Sequence, residues 1–348
     1  MLSRLTTERL DPIDDARWRG FLDAAPGALV FHHPAWLELL RGEYGFRIEA
    51  WALRDGGEIV GGLPVADVRS RLTGRRLVAL PFCDVCGPIA TPAVPDAQPE
   101  LDEMIVSERR RAGVPLDIHE RLPQLPGATS SKKFLHHVIA LDSDPEVVER
   151  NFTTSALKRG ARKAEKLGLR MERRTDVGAL DAFYELHLET RRHQGVPIQS
   201  KRFIRGFAKL FAEGLGHVAL VVDGSGEVNA AAVFLAFKGT LTYKYGASRR
   251  AALNKRPNNL LFLDSIRWGC AQGLTRLDLG RTDLDNEGLR AFKLSWGAAE
   301  RELDYTWLSD SAPAGRGSGI PAIAQTAIRR GPPIVGRAVG KALYRHVA

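Results

Sequence analysis

Residues 240–297 read TLTYKYGASRRAALNKRPNNLLFLDSIRWGCAQGLTRLDLGRTDLDNEGLRAFKLSWG. A strand that ends in Tyr-Gly-Ala-Ser is followed by a basic loop and by a helix that begins at Pro257, a residue suited to a first helical turn. Gly273 is a good stop for this helix, and a short strand, Leu-Asp-Leu-Gly, comes next. The segment then closes on Phe-Lys-Leu-Ser-Trp-Gly. Strands and helices mixed on this scale predict an α/β or α+β domain.

The rest of the chain has the same mixed character on both sides of this stretch. Residues 1–143 read as helices and alternating strands that close on the strand KKFLHHVIALD, and we predict that they form a first domain. Residues 144–310 repeat the plan as a second domain. No internal repeat is visible in the sequence itself, so the predicted duplication rests on the order of elements. Residues 311–348 form a basic tail, with a flexible linker, SAPAGRGSG, and two amphipathic segments split by Gly331-Pro332-Pro333.

Composition restricts the class of protein. The 348 residues are 44% hydrophobic and 26% charged, which is typical of a globular protein with real cores. No run approaches the roughly 18 apolar residues of a membrane span, and the N-terminus has no apolar signal region. Three cysteines give no disulfide framework and fit a reducing compartment. These features predict a cytoplasmic protein.

Positive charge is concentrated in two segments. The chain has a formal net charge of +9, residues 155–174 hold eight basic side chains against two acidic ones, and residues 311–348 hold six basic and no acidic ones. Such patches suit phosphate-rich partners: tRNA, coenzyme A, lipid-linked nucleotide sugars or an anionic membrane surface. A basic amphipathic tail also suits peripheral contact with the inner face of a membrane. The alternatives are a solvated face for the first segment and a helix packed on its own domain for the tail.

The combination YGAS, DLG and GL-x-x-FK-x-x-WG resembles the Fem-type aminoacyltransferases and the wider GNAT-like N-acyltransferases, including the acetyltransferase-domain group of polysaccharide biosynthesis. The resemblance implies an α/β (α+β) fold of two tandem GNAT-like domains, with mixed sheets flanked by helices. It also implies transfer of an acyl or aminoacyl group to an amine. Fem enzymes take an amino acid from aminoacyl-tRNA and add it to a peptidoglycan precursor, whereas other members use acyl-CoA.

The resemblance extends more loosely over residues 25–308. FHHPAWLELL is similar to the family's entry segment, with Trp36 at the aromatic position, and PFCDVCGPIAT is similar to its Gly-Pro loop. Peptidoglycan enzymes place an Asp just beyond that Gly-Pro pair, where this chain has Thr91, and the long coiled-coil arm of some members is missing. The pyrophosphate loop of simple GNAT enzymes is not evident either. Aminoacyl-tRNA is therefore favoured over acyl-CoA as donor, and the acceptor stays open.

Acyl transfer to an amine requires a positioned neutral amine, stabilisation of the oxyanion and a route for protons. We predict that Lys293, beside Phe292 and Trp296, stabilises the developing charge, because a cation acts strongly in a partly dry cleft. The alternative is a surface lysine on a helix. Tyr243 and Tyr245 lie two apart on a strand and are expected to share a face, from which either could hydrogen-bond the acyl carbonyl.

Further candidates surround this centre. Asp278 and Arg281 flank a strand-to-loop exit, either as site residues or as a structural salt bridge. Arg191 and Arg192 could clamp a phosphate, and His187, one turn earlier, could act as a general base. The remaining predicted substrate contacts are Trp36, Phe292, Trp296 and the basic residues Lys158, Arg162 and Lys163.

No metal and no tightly bound cofactor is predicted. Cys83-x-x-Cys86 has metal-like spacing, but no second pair accompanies it, and no P-loop, Rossmann fingerprint or HExxH motif is present. The sequence therefore predicts an N-acyltransferase that modifies an amine of a cell-envelope or secondary-metabolite precursor, with tRNA or a coenzyme A thioester as partner. The alternative is a non-catalytic binding protein for anionic lipid-linked or polysaccharide precursors.

Overall fold

The structure, a computed structural model, describes residues 5–70, 73–310, 322–344 and 346. Within these ranges the chain forms two compact units. Unit 1 contains residues up to Phe134, residues 302–310 and the end of the chain from Tyr344. Unit 2 contains Leu135–Arg301 and the tail up to Leu343. The predicted linker at 311–319 lies outside the described residues.

Unit 1 is a mixed sheet with three helices. Its strands, in the order β1-β2-β3-β4-β6-β13 with β5 on β3, and its helices have these bounds: β1 Thr6–Leu10, α1 Ala16–Ala24, α2 Pro34–Tyr44, β2 Arg47–Asp55, β3 Glu58–Ser70, β4 Gly74–Ala79, β5 Ile89–Ala90, α3 Ala97–Ala112, β6 Leu116–Ile118, and parts of β7 Ala128–Ala140 and β13 Ala299–Leu308. Trp51, Leu63 and Leu101 are fully buried in its core. Burial of such side chains supplies most of the free energy that holds a sheet to its helices.

Unit 2 has the sheet order β7-β12-β11-β10-β9-β8. Its elements, after the end of β7, are α4 Pro145–Arg150, α5 Ala156–Lys166, β8 Arg170–Arg174, α6 Val177–Gln194, α7 Lys201–Ala212, β9 Gly216–Val222, β10 Val228–Phe237, β11 Thr240–Ser248, α8 Pro257–Ala271, β12 Arg276–Asp283, α9 Glu287–Ser295, α10 Ala322–Arg330 and α11 Pro333–Leu343. Phe234, Phe262 and Trp296 lie at the centre of the core between the sheet and α8.

The order of elements confirms the predicted α/β class, with strands mixed among helices in both units. Among the described residues the chain passes between the units at 134/135 and 301/302, within β7 and β13, and again at 343/344, whereas the sequence suggested linear boundaries near 143 and 310. The strand KKFLHHVIALD is thus divided between the units, since its first residues pack in unit 1 and its last in unit 2.

The tail helices α10 and α11 pack within unit 2. Ile328 of α10 is 1% exposed, and the Arg337 guanidinium of α11 lies 5.6 Å from the centre of the Tyr184 ring on α6. This is the arrangement predicted as the alternative to a membrane-surface tail. No helix among the described residues is both long enough and apolar enough to cross a membrane.

Candidate active site

Two neighbouring parallel strands of unit 2, β11 and β12, pair with each other over a short distance and then separate. Within the described residues, β11 pairs with β12 only from Thr240–Thr242 to Arg276–Asp278, although β11 runs to Ser248 and β12 to Asp283. We call residues 243–248 and 279–283 the unit 2 fork. Ligands of α/β sheets bind outside the carboxyl ends of parallel strands, which makes the fork the natural candidate for a site.

A β-bulge lies at the start of the fork. Val233 pairs with Tyr245 and Phe234 pairs with Tyr243, so Lys244 is the extra residue. The Tyr243 ring consequently packs on Phe262 of α8 at 5.0 Å, whereas Tyr245 packs near α6 and α7. The prediction that the two tyrosines share a face is wrong, because the bulge inverts the alternation. Burial raises the pKa of Tyr243 to about 12, so its phenol stays protonated.

Lys293 is buried rather than on the surface, with 4% of its area exposed. Its Nζ donates to the carbonyl oxygens of Gly280 and Arg281, each at 2.9 Å. Gly280 has a φ of +69°, a left-handed conformation that glycine adopts without strain, and this turn presents both carbonyls to the ammonium. Asn286 caps α9 through the Leu289 amide and so fixes the helix that carries the lysine. Lys293 therefore fixes the β12 arm of the fork.

Asp278 lies beneath the same turn. Its Oδ1 accepts from the Gly280 amide at 2.7 Å and lies 2.8 Å from His136 Nε2. Arg301 Nε donates to His136 Nδ1 at 3.2 Å, so the His136 proton lies on Nε2 and is donated to Asp278. Asp278 is thus a buried acceptor that holds the strand exit in shape.

His137, the neighbour of His136, joins the same network. Its Nε2 lies 3.0 Å from Glu300, and its Nδ1 lies 3.3 Å from the Thr282 hydroxyl. Burial, followed by the Lys293 charge, lowers the pKa of His137. Neither histidine is among the site residues predicted from the sequence. The doublet in KKFLHHVIALD was the only local signal, since their partners lie 142 and 163 residues away.

His187 lies on the other face of the sheet, 3% exposed and stacked on Phe183 with ring centres 5.1 Å apart. Its ring is 5.7 Å from that of Tyr245, and neither ring nitrogen has a hydrogen-bond partner among the described residues. Burial, and then the Arg191 charge, lower its pKa to about 3, while the adjacent Gly246 backbone acts in the opposite direction. A histidine this acidic stays neutral at pH 7. It suits hydrogen bonding to a ligand better than the predicted role of general base.

The predicted phosphate clamp lies near the tail. Arg191 Nε donates to the Pro197 carbonyl at 3.2 Å. Arg191 and Arg192, both half-buried, line a shallow groove together with Ile328 and Pro333 of the tail helices. Residues of α6, α10 and α11 thus share this groove within unit 2.

The basic helix α5 divides into two sets of side chains. Lys158 forms an ion pair with the buried carboxylate of Glu149 at 2.6 Å, which gives it a structural partner. Arg162 and Lys163 are exposed and have no ion-pair partner within the described part of the chain. Only these two of the three predicted contacts are therefore available to a phosphate.

The aromatic predictions are corrected by burial. Trp36 is 0% exposed in unit 1, and Trp296 is 0% exposed in unit 2, where it stacks on Phe262 at 5.5 Å. Both are core side chains, which contradicts their predicted contact with substrate. Phe292 is partly buried and packs edge-on against Phe262 at 5.0 Å. Arg281, half-buried, contributes its carbonyl to the Lys293 contact. Among the described residues, no group of three or more His, Cys, Asp or Glu side chains could hold a metal ion.

The comparisons with known proteins agree with this architecture. Residues 152–294 match the family described as the acetyltransferase (GNAT) domain. The crystal structure of FemX superposes with a TM-score of 0.68 at 15% identity, covering 85% of this chain and 96% of FemX. L-PGS from Bacillus licheniformis gives 0.58 at 16% identity and covers 93% of this chain and 98% of L-PGS.

A tandem GNAT protein from the clavulanic acid biosynthesis pathway gives a TM-score of 0.52 at 14% identity, covering 89% of this chain and 100% of that protein. No curated protein matches the sequence. At these identities the structural likeness establishes the fold, while the domain match establishes the type of domain. Residues 152–294 therefore carry a GNAT-type acetyltransferase domain, and the chain has a fold similar to those of FemX and of the tandem GNAT protein.

Proposed function

We propose that this protein is an N-acyltransferase that moves an aminoacyl or acyl group onto an amine, with its reacting centre in the unit 2 fork. The observation that carries the proposal is the short parallel pairing of β11 and β12, with Lys293 fixing the turn at Gly280. Beyond Thr242 the edge of β11 that faces β12 no longer pairs with that strand. Backbone amides of residues 243–247 on this edge can therefore hydrogen-bond to the carbonyl oxygen of the acyl-group donor. Fixed amides of this kind stabilise an oxyanion strongly in a dry site.

The side chains around the fork would act mainly by position. Asp278 and Lys293 hold the β12 arm, and the Lys293 charge, close to the Gly280 turn, stabilises negative charge that develops on the acyl oxygen. Tyr245 and the neutral His187 offer hydrogen bonds from the opposite face. A neutral amine attacks the acyl carbon, the bond to the donor's oxygen or sulfur breaks, and the amine's proton leaves with that group.

We propose aminoacyl-tRNA as the donor in preference to acyl-CoA. Arg162 and Lys163 of α5, which are exposed and have no ion-pair partner among the described residues, support this choice. A 3₁₀ turn, Arg250–Lys255, packs beside α5 and adds Arg250 and Arg256 before α8. A surface of this extent suits the repeated phosphates of RNA better than the few phosphates of coenzyme A. The proposed acceptor is an amine of a cell-envelope or secondary-metabolite precursor.

The test is transfer by the full chain in vitro. Purified protein is incubated with a set of aminoacyl-tRNAs or with acyl-CoA, each with a panel of amines, and products are identified by mass spectrometry. We expect an amide product that forms with aminoacyl-tRNA, disappears in Lys293→Met and persists in Lys209→Met, since Lys209 is exposed on α7, outside the proposed donor surface. A product from acyl-CoA alone would overturn the donor. Absence of product from both donors would overturn the function.

A second candidate is a binding protein for anionic lipid-linked or polysaccharide precursors that performs no chemistry. The burial of Lys293 and its two carbonyl partners favour it, because the ammonium is already engaged. This candidate predicts binding to vesicles that contain anionic lipid, without turnover. Since residues 322–343 pack within unit 2, the test uses Arg330→Glu with Lys341→Glu, two exposed cations, instead of deletion of the tail. Binding that ignores this charge reversal would argue against peripheral membrane contact through the tail.

A further inference from the structure

The tail helices contact α6 from its middle to its last residue. Arg329 of α10 donates through Nη2 to the Gln194 carbonyl at 3.2 Å, at the last residue of α6. Arg337 of α11 lies 3.5 Å from the Glu185 carboxylate and covers the Tyr184 ring. These contacts come from one guanidinium on each tail helix, so both helices are fixed against α6.

The loop that follows α6, residues 195–200, is held more closely still. Gly195 has a φ of +72°, and a Cβ there would lie 2.7 Å from Arg329 Nε. On α11, a Cβ at Gly340 would overlap the carbonyl oxygen of Ile198. Ile198 itself is 1% exposed. Backbones approach this closely only where one partner is glycine, so Gly340 sets the distance between α11 and the loop.

The next residue of the loop reaches the fork. Gln199 is 5% exposed, and its Nε2 donates to Tyr245 Oη at 3.3 Å. Its Oε1 has no hydrogen-bond partner among the described residues. Tyr245 is the bulge tyrosine that faces His187. A continuous set of contacts thus runs from α11 through Ile198 and Gln199 to the fork.

We propose that the C-terminal helices act as a buttress for the α6–α7 loop, and that Gly340 is a positioning residue for the Gln199–Tyr245 pair. The expected effect on transfer rests on the proposed function, whereas the expected effect on the position of the loop does not. Misplacement of a side chain at a reacting centre by about 1 Å can cost up to roughly a hundredfold in rate. A shift of α11 away from Ile198 would therefore act on transfer without touching the substrate.

Two alanine substitutions on α11 distinguish an effect on the position of the α6–α7 loop from an effect on the stability of the helix. Gly340→Ala forces the helix away from the Ile198 carbonyl, whereas Gly336→Ala adds a methyl 3.7 Å from Ile328, an ordinary contact. Both glycines are buried, and both substitutions raise helix propensity by the same amount. We expect hydrogen exchange of the backbone amides within residues 195–200, where Pro197 has none, to rise about tenfold in Gly340→Ala and to stay at the wild-type rate in Gly336→Ala.

The same variants are then assayed for transfer. Gly340→Ala is expected to lower kcat about tenfold, and to cause no further loss when Tyr245 is already Phe, because both changes remove the same interaction. A role in stability alone would lower the midpoint of thermal unfolding and give additive losses. If Gly340→Ala does not fold, Arg329→Ala removes the Gln194 contact without steric overlap, and a rise in loop exchange is again expected.

The outcomes separate this inference from the proposed function. Wild-type exchange at residues 195–200 in both Gly340→Ala and Arg329→Ala would overturn the buttress, whatever the activity. Faster exchange in these variants, combined with no transfer by the wild-type protein, would support the buttress and overturn the proposed function. If the losses of kcat in Gly340→Ala and Tyr245→Phe are additive, the proposal that α11 acts on the fork through Gln199 is overturned.

Discussion

Units 1 and 2 each contain two parallel strands that pair over three residues and then separate. We call the place where they separate the strand junction, and the two junctions are filled differently. In unit 1, β4 pairs in parallel with β6 over three residues, Leu77–Ala79 with Leu116–Ile118. In unit 2, β11 pairs with β12 over three residues as well. The second strand reads Leu-Asp-Ile-His at 116–119 and Leu-Asp-Leu-Gly at 277–280, so the patterns diverge at the fourth residue, which lies just beyond the paired positions in both units.

In unit 1 that residue is His119, and side chains of the same unit fill the space. Its ring stacks on Tyr305 with centres 4.1 Å apart, and its Nδ1 lies 3.0 Å from the Cys83 carbonyl. Cys86 forms a backbone bridge with His119, and both cysteines are buried. The junction of unit 1 is consequently a packed core with a satisfied histidine.

In unit 2 that residue is Gly280, which has no side chain to fill the junction. Its carbonyl turns to Lys293, and on the opposite face His187 and the Gln199 oxygen are buried without hydrogen-bond partners among the described residues. Buried polar groups without partners are rare and mark places where a ligand or water completes the network. The junction of unit 1 thus serves structure, whereas the junction of unit 2 is suited to binding.

The largest expected effect comes from the two aspartates of the junctions. Asp278→Ala leaves two buried donors, the Gly280 amide and His136, without an acceptor, and should cost about 2 to 4 kcal/mol of unfolding free energy together with most of the transfer activity. Asp117→Ala removes one contact with Ser131, at 2.9 Å, and should cost about 1 kcal/mol with transfer per folded molecule unchanged. Urea unfolding and transfer assays measure both. Equal losses of transfer activity in the two variants would contradict the claim that only the unit 2 junction takes part in transfer.

The neutral His187 predicts how stability responds to acid. Its folded-state pKa of about 3 lies below its ordinary value of 6.5, so between these values the unfolded chain binds a proton that the folded chain does not. Stability should therefore fall as pH falls through this range, with this group contributing up to about 1.4 kcal/mol per pH unit. His187→Phe, which can stack on Phe183, should reduce the slope by that amount in urea titrations from pH 7 to pH 4.

The control for this variant is His193→Phe, on the exposed end of the same helix. Its acid slope should match that of the wild-type protein. An unchanged slope in His187→Phe would mean that the ring does not occupy a dry site.

Charge reversal on α5 sharpens the assignment of the donor. Arg162→Glu with Lys163→Glu should raise KM for aminoacyl-tRNA roughly tenfold and weaken its salt dependence, because two phosphate contacts are lost. The matched control is Arg276→Glu with Arg330→Glu, two exposed cations elsewhere in unit 2 for which the described part of the chain offers no ion-pair partner, and it should leave KM unchanged. Equal effects of the two pairs would indicate a response to net charge and not a binding surface.

The smallest effect is expected in unit 1. Cys83→Ala removes a buried thiol that donates to the Leu80 carbonyl and should cost about 1 kcal/mol in urea unfolding. Transfer per folded molecule should be unchanged, because the unit 1 junction is filled by its own side chains. Loss of transfer without loss of stability would show that this junction also takes part in the reaction.

Much of the fold could be predicted, since strand and helix order are encoded locally. The block from YGAS to FKLSWG yields β11, α8, β12 and α9, and the Gly331-Pro332-Pro333 break separates α10 from α11. These signals depend on capping and on residues that end helices, which act within one or two turns. The aromatic residues at positions 36 and 296 were misjudged because burial depends on packing with distant elements.

The candidate site could be predicted only in part. Lys293 and Asp278 stand out by motif, but the bulge at Lys244 depends on the register with β10 and has no signal within β11 itself. His136 and Gln199 acquire meaning only through partners that lie 142 and 46 residues away. Interactions over such distances depend on the tertiary fold, which no local pattern reports.

Hydrogen exchange with bound donor tests the central claim most directly. The full chain is measured alone, with coenzyme A and with a non-hydrolysable aminoacyl-tRNA analogue, and exchange is followed in peptides that cover both junctions. We predict slower exchange at residues 243–248 and 279–283 with the RNA analogue, and no change at residues 80–87 and 116–120. Protection at the unit 1 junction, with none at the unit 2 fork, would contradict the account.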